Sequence, residues 1–321
     1  MQRSSRSIQQ RVLIATLTLF SGAAAAAYAA DTDEMVLIPF GEFTMGASLE
    51  GDDDAHQVVL GSFHIDKYEV SNERYKRFVD ATGHAPSAYS DDRRFNLPNQ
   101  PVVGVNWNDA KAFCEWDGKR LPTEAEWEKA AKGPAETIYP WGDTFDAANV
   151  NCCNTNSAPL PVDSHPAGAS GYGVYNMAGN AYEWVQDWYD HNYYKTAKTV
   201  LNPQGPKKGY NWGALGEMKV IRGGSWFAPA GSQTTTHRFW NQPENNSYGI
   251  GLGFRCAKDT DNQFDTTSRS AYNTALIKFA TEDFDGALAA INEALKREPS
   301  NGGYLELKNE VTKKSGAAKQ K

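Results

Sequence analysis

The chain has 321 residues and a formal net charge of −7, with 32 basic side chains against 39 acidic ones. That balance argues against nucleic acid as a partner, because phosphate contacts need clustered lysine and arginine. Nine tryptophans, 15 tyrosines, 14 phenylalanines and 28 glycines point to a loop-rich α+β domain in which aromatic side chains supply much of the buried area.

The chain opens with Arg3, Arg6 and Arg11, then an apolar run from Val12 to Phe20, then Ala27-Tyr28-Ala29. A basic region, a short apolar core and an A-x-A site read as a secretory signal over 1–29, with cleavage after Ala29. The apolar core is too short for a membrane span, so no span is expected after cleavage. A secreted or periplasmic location follows, and it permits disulfides among Cys114, Cys152, Cys153 and Cys256. Loss of three arginines and no acid leaves the remainder more negative still.

"EMVLIPFGEFTMG" (Glu34 to Gly46) predicts a short hairpin or two strands, and "HQVVLGSFHIDKYEVS" another strand pair. "SNERYKRFVDATG" is a helix with Ser71 as N-cap, stopped by Gly83. "NWNDAKAFCEWD" has apolar residues at helical spacing, with Asn108 as its cap. "LPTEAEWEKAAKG" is a third helix, in which Thr123 and Glu126 form a capping box and Gly133 is the stop. Loops and short strands follow to about Asp259. From Thr266 the composition changes to Ala, Leu, Lys and Glu. Helices over "SRSAYNTALIKFA", "DFDGALAAINEALKREP" and "GGYLELKNEVTKK" resemble a single tetratricopeptide-like unit. One such unit needs a neighbour, so it packs on the main domain, self-associates or receives a partner.

Six ordered stretches together resemble the formylglycine-generating-enzyme (sulfatase-modifying factor) family. They are "FTMG" with "IDKYEVSNERYKRFV", then "PVVGVNWNDAKAFCEWDGKRLPTEAEWEKAAKG", "YPWGD", "GVYNMAGNAYEWVQDWY", "VIRGGSW" and "GLGFRCA". The resemblance implies a C-type lectin-like α+β fold over 30–260, with the helical tail at 266–318. It also implies a disulfide between Cys114 and Cys256, and none at the family's second pair, where Ala131 stands. Cys152 and Cys153 have no counterpart there; they form a disulfide, bind metal or stay free.

Enzymes of the family oxidise a sulfatase cysteine with O₂ and copper held by two cysteines, since soft thiolates suit Cu(I). Ala228 and Gln233 stand at those two positions, so copper is not expected. Calcium is expected, because two stretches supply hard oxygen ligands. The first uses Asn176 and Glu183 side chains with the Gly179 and Ala181 carbonyls. The second uses Asn149, the Val150 carbonyl, Asn154 and the Asn156 carbonyl, and the family has an aspartate where Asn154 stands.

Ser225, His237, Arg238 and Tyr182 are the remaining polar residues of the cleft, with His237 and Arg238 as base and anion clamp. Two functions fit. One is a calcium-stabilised binding or maturation-accessory module, engaging a protein or peptide through the variable loops from Phe227 to Tyr248 or through the C-terminal helices. The other is a divergent oxidoreductase of protein or siderophore maturation, resembling the pyoverdine-maturation protein. A true formylglycine-generating oxidase is disfavoured by Ala228 and Gln233.

Overall fold

The computed structural model describes residues 33–196, 200–244, 249–260 and 266–318. The expected signal (1–29) and positions 245–248 of the expected variable loop lie outside the described residues. The two N-terminal apolar runs give four strands: β1 (Met35–Ile38), β2 (Gly41–Met45), β3 (His56–Leu60) and β4 (Phe63–Asp66). Neither run folds back on itself. β2 pairs antiparallel with β3, and β1 with β4, so one pair nests inside the other. Of the two expectations for 34–46, two strands form and a hairpin does not. Lys129, far along the chain, donates to the carbonyls of Pro39 (2.7 Å) and Gly41 (2.9 Å), which holds that turn open.

Three helices follow. α1 (Asn72–Thr82) starts on the Ser71 side chain and ends at Gly83, in the left-handed region at φ 73°. α2 (Trp107–Trp116) is capped by Asn106 rather than by the expected Asn108. Asp109 stands three residues after Asn106 and returns the hydrogen bond to its N–H, whereas Lys111 stands three after Asn108 and has no acceptor to offer. α3 (Glu124–Lys132) has the expected Thr123–Glu126 capping box and stops at Gly133.

The remaining elements are short and set among loops: β5 (Tyr182–Trp188), α4 (Tyr193–Thr196), β6 (Val200–Leu201), β7 (Lys219–Arg222), β8 (Arg238–Asn241), β9 (Leu252–Phe254) and β10 (Ala257–Asp259). They complete three sheets, ordered β1-β4-β10, β2-β3-β6 and β8-β7-β5-β9. Register divides the four-stranded sheet into two faces. Trp184, Ile221 and Phe239 are opposite one another across β5, β7 and β8, as are Glu183, Arg222 and Arg238. Because side chains alternate along a strand, these two sets point to opposite sides. The Trp184 face packs with Phe78 of α1 and Phe113 of α2. The other face packs Val185 and Val220 against Trp127 and Ala130 of α3.

Cys114 in α2 is bonded to Cys256, between β9 and β10, with Cα atoms 5.6 Å apart. Cys152 and Cys153 are bonded to each other. Ala131, at the position of the family's second pair, is fully buried in the apolar core.

The C-terminal segment forms α5 (Thr266–Ala280), α6 (Phe284–Arg297) and α7 (Gly302–Ala318). It packs on the main domain. Tyr272, Leu276 and Phe279 share a cluster with Phe40 and Val59, and the Phe40 and Phe279 rings lie 5.8 Å apart. Among the described residues no helix is long and apolar enough to cross a membrane.

The Cys114–Cys256 bond closes a loop across 142 positions. Replacing both cysteines by serine should therefore lower stability by about 2–5 kcal/mol in urea unfolding. An unchanged midpoint and slope would show that the bond constrains little.

Candidate functional site

The cleft is built where β7 ends. Gly223 (φ 91°) and Gly224 (φ 74°) turn the chain through conformations that suit glycine. A Cβ on Gly223 would meet the Trp127 ring at 3.1 Å, and one on Gly224 would meet Gln233 Oε1 and the Ser232 carbonyl, both at 2.7 Å. The turn buries Ser225 and Trp226 beneath the loop. Trp226 Nε1 donates to the Ile250 carbonyl (2.8 Å), and its backbone N–H to the Asn180 carbonyl (3.0 Å).

Ala228 is buried against Tyr182 and Leu252 and offers no ligand atom. Gln233 is fully buried. Its Nε2 donates to the carbonyls of Ala228 (3.3 Å) and Pro229 (3.2 Å), so its side chain ties this loop to itself. Gln233 Oε1 and Ser225 Oγ are both buried without a hydrogen-bond partner. A neutral amide and a methyl group are hard or inert where Cu(I) wants thiolates. The residues present do not fit copper.

The four expected cleft residues are not brought together. Tyr182 stacks on Phe239 at 5.8 Å, on the sheet face that holds Ala228. The His237 ring lies nearly parallel to Phe239 at 6.2 Å, and its Nδ1 is 2.8 Å from Glu50 Oε2. Arg238 points to the opposite face. Its Nε and Nη2 donate to the two carboxylate oxygens of Glu124 (2.8 and 3.1 Å), Nη1 donates to the Asp52 carbonyl (2.7 Å), and the guanidinium lies over the Tyr194 ring at 4.1 Å. Arg238 is thus a buried structural ion pair and not an anion clamp. Period-two alternation in β8 separates it from its neighbours in sequence.

The partner of Arg238 belongs to a cluster that periodicity does not reveal. All nine residues of α3 are buried, although five are charged. Glu124 also pairs with Arg222 (3.1 Å), and Glu128 pairs with Arg222 (2.8 Å) and Lys132 (3.2 Å). Burial alone would raise the Glu124 carboxyl above its usual range. Arg238 and then Arg222 reverse this and hold its carboxyl below the usual range. Asp187 accepts the Glu124 N–H at 2.8 Å. Burial, then the Glu124 charge, pushes Asp187 up to about 8. Burial also lowers Lys219 to about 8, with Asp187 opposing the change.

The first expected calcium set, with Asn176 and Glu183, lies in a second charged cluster. Glu183 Oε1 and Oε2 accept from Arg255 (2.6 and 2.7 Å), and Oε2 also accepts from Trp127 Nε1 (2.8 Å). Asn176 Nδ2 donates to Glu69 (2.8 Å) and to the Val162 carbonyl (2.9 Å), and Asn180 Nδ2 donates to Glu69 at 3.0 Å. Glu69 is the residue missed from sequence. It sits in "DKYEVSN", 107 positions before Asn176, in a stretch that reads only as strand. The cluster holds two buried carboxylates against one guanidinium. Burial first, then the Glu183 charge, pushes Glu69 up to about 8. The donor set is hard oxygen with an excess of negative charge, which suits a hard cation.

The second set does not fit as well. Asn149, Val150, Asn154 and Asn156 include no carboxylate. Asn154 Nδ2 reaches the Phe227 carbonyl at 3.4 Å, and Asn156 Nδ2 donates to Asn151 (3.0 Å). Neutral oxygens alone bind calcium weakly.

A loop-rich α+β domain with a buried charged helix and an RGGSW cleft defines a class, and sequence comparison gives its name. Residues 21–260 match the Sulfatase-modifying factor enzyme 1-like domain, and the chain belongs to that family. It is 34% identical to the formylglycine-generating enzyme of Streptomyces coelicolor, over 72% of this chain and 90% of that one. It is 38% identical to the serine/threonine-protein kinase pkn1 of Chlamydia pneumoniae over 70% of this chain, but spans only 38% of that protein's length. The inactive C-alpha-formylglycine-generating enzyme 2 of Bos taurus is 28% identical, over 76% of this chain and 94% of that one. Among solved structures, PvdO from Pseudomonas aeruginosa is 27% identical with a TM-score of 0.58, covering 70% of this chain and 94% of that one.

Glu69 sets a pH dependence. Its ordinary value of 4.5 is raised to about 8 in the fold, so the folded state binds the extra proton between those values. With chelator present, its contribution to stability is full below 4.5 and is lost as pH rises toward 8. Glu69→Gln should flatten that fall in melting temperature between pH 5 and 8. A slope unchanged by the substitution would assign the titration elsewhere.

Proposed function

We propose that the protein is an exported family member that has given up copper chemistry and works as a binding or maturation-accessory module. The observation that carries this reading is Gln233, whose amide fills and ties the loop where a thiolate would have to stand. The likeness to a protein named inactive supports it. Two disulfides among the described residues support an oxidising compartment, with residues 1–29 as the signal. The bound chemistry is a protein or peptide. Exposed Tyr210, Trp212 and Leu215, with Trp212 5.7 Å from Trp240, supply an aromatic surface of the kind that serves as a binding anchor. Ile277 and Leu305 supply exposed apolar positions on the tetratricopeptide-like tail.

A second reading, a divergent oxidoreductase, is favoured by a sulfur pair beside the cleft. Of the expected cleft residues His237 is the one partly exposed to a substrate there, Ser225 and Tyr182 being buried. It needs no copper either.

Copper titration tests the main reading. Purified protein should not compete with a Cu(I) chelator, and should form no aldehyde on a sulfatase-derived cysteine peptide in air. Tight Cu(I) binding with turnover of that peptide would sink it.

Calcium is proposed at the cluster of Glu69, Asn176 and Glu183, where it would offset the excess negative charge. EDTA should then lower the melting temperature and added calcium restore it, because a ligand bound only by the native state raises stability. A melting temperature indifferent to EDTA leaves Glu69 neutralised by its proton instead.

A further inference from the structure

Cys152 and Cys153 are bonded to each other directly against the cleft loop. The Cys153 N–H donates to the Ala228 carbonyl (3.0 Å), and the Asn154 N–H to the Trp226 carbonyl (2.9 Å). The loop is fastened on its inner side as well. The Asn151 carbonyl accepts the Asn180 N–H (2.8 Å), its Nδ2 donates to Asn180 Oδ1 (3.0 Å), and its Oδ1 accepts from Asn156 (3.0 Å). The two cysteines are placed differently. Cys152 is 2% exposed and packs with Val150 and Ala178, whereas Cys153 is exposed at the surface, in the left-handed region at φ 63°.

A disulfide between neighbours encloses no stretch of chain, so it gains nothing from constraining the unfolded state. The backbone hydrogen bonds already hold this loop in place. Stability therefore does not account for the pair, and chemistry does. We infer that Cys152–Cys153 is a thiol–disulfide exchange site, at which a thiol arriving beside Trp226 and Ala228 attacks the exposed Cys153 sulfur.

The step balances. The incoming thiolate forms a bond to Cys153 Sγ while the Cys152–Cys153 bond breaks. The electron pair leaves on Cys152 Sγ, which takes a proton from water. A second thiolate, from the same substrate or from a second molecule of a small thiol, attacks the substrate sulfur in the mixed disulfide and expels Cys153, which is protonated in turn. The substrate departs oxidised by two electrons, and the pair is left as two thiols. The pinned backbone keeps the reduced sulfurs side by side, so exchange with a low-molecular-weight disulfide restores the bond. No metal takes part, so this activity goes beyond the binding role, and the copper test stays separate from it when run on the oxidised pair, in which neither sulfur is a thiolate.

Glutathione is the first probe. Oxidised protein is mixed with it, quenched with acid, alkylated and mapped by mass spectrometry. A glutathione adduct is expected on Cys153, with alkyl on Cys152 and Cys114–Cys256 intact. In the single variants, Cys153 in Cys152→Ser should react with a chromogenic disulfide at least about tenfold faster than Cys152 in Cys153→Ser, because access to the sulfur sets the rate. Cys153→Ser should melt with the wild type, whereas Cys152→Ser buries a hydroxyl beside Val150 and Ala178 and should melt lower while remaining folded. An adduct on Cys152, equal rates in the two variants, or a pair that exchanges no faster than Cys114–Cys256 would overturn the assignment. A cysteine peptide at equal thiol concentration identifies the source: faster exchange than glutathione assigns a peptide substrate, and equal or slower exchange a small thiol.

Discussion

The domain is arranged around a helix with no outer face. α3 buries all nine of its residues, and Glu124, Glu126, Glu128, Lys129 and Lys132 are among them. An unpaired charge in such a place costs several kcal/mol, so each one dictates what must stand beside it. Arg222 and Arg238 come from β7 and β8 to meet Glu124 and Glu128. Lys129 and Lys132 reach the carbonyls of the first strands, at Pro39 and Gly41 and at Thr44 and Gly46. Glu126 turns back to cap its own helix and pairs with Arg120. The N-terminal strands and the four-stranded sheet are therefore indexed to one short segment by ionic and hydrogen-bonding contacts as well as by apolar burial.

This constraint also decides what the cleft can contain. Arg222 and Gly223 are consecutive, and they do opposite things. Arg222 is fixed on the α3 side, while Gly223 passes close over Trp127 and leads the chain away. The loop from Ser225 onward is thus launched from a rigid point, and Arg222 also fastens its far end through the carbonyls of Thr235 (2.8 Å) and Thr236 (3.3 Å). Arg238 belongs to the rigid part, and Phe239, one residue on, belongs to the cleft face. A polar residue near the cleft in sequence is not near it in space unless strand alternation also agrees.

Local signals were legible and long-range ones were not. The bounds of α3 and its capping box could be read because their partners lie within three residues. The same rule, applied to Asn106 and Asp109 instead of Asn108, would have placed the start of α2 correctly. Strand existence was readable in both N-terminal runs. Their pairing was not, since it depends on Lys129, nearly ninety positions away. Glu69 was invisible for the same reason: its partners Asn176, Asn180 and Glu183 come from a different stretch of the chain. One signal did lie open in the sequence. "IRGG", "HRFW" and "GFRC" each place an arginine in a stretch that otherwise reads as core, and a buried arginine calls for a buried carboxylate beside it.

The separation of the α3 charges from the stretch Ser225 to Gln233 explains how the family's two copper positions can be lost without loss of the fold. Neither Ala228 nor Gln233 touches the α3 charges. Ala228 needs only to fill apolar space beside Tyr182 and Leu252, and Gln233 satisfies its Nε2 on carbonyls of its own loop. Its Oε1 and the Ser225 hydroxyl remain buried without partners, a desolvation penalty of about 1–3 kcal/mol each. Both atoms lie on the loop that the Cys153 and Asn154 N–H groups hold from its other side, whereas Arg238 is locked into the α3 frame.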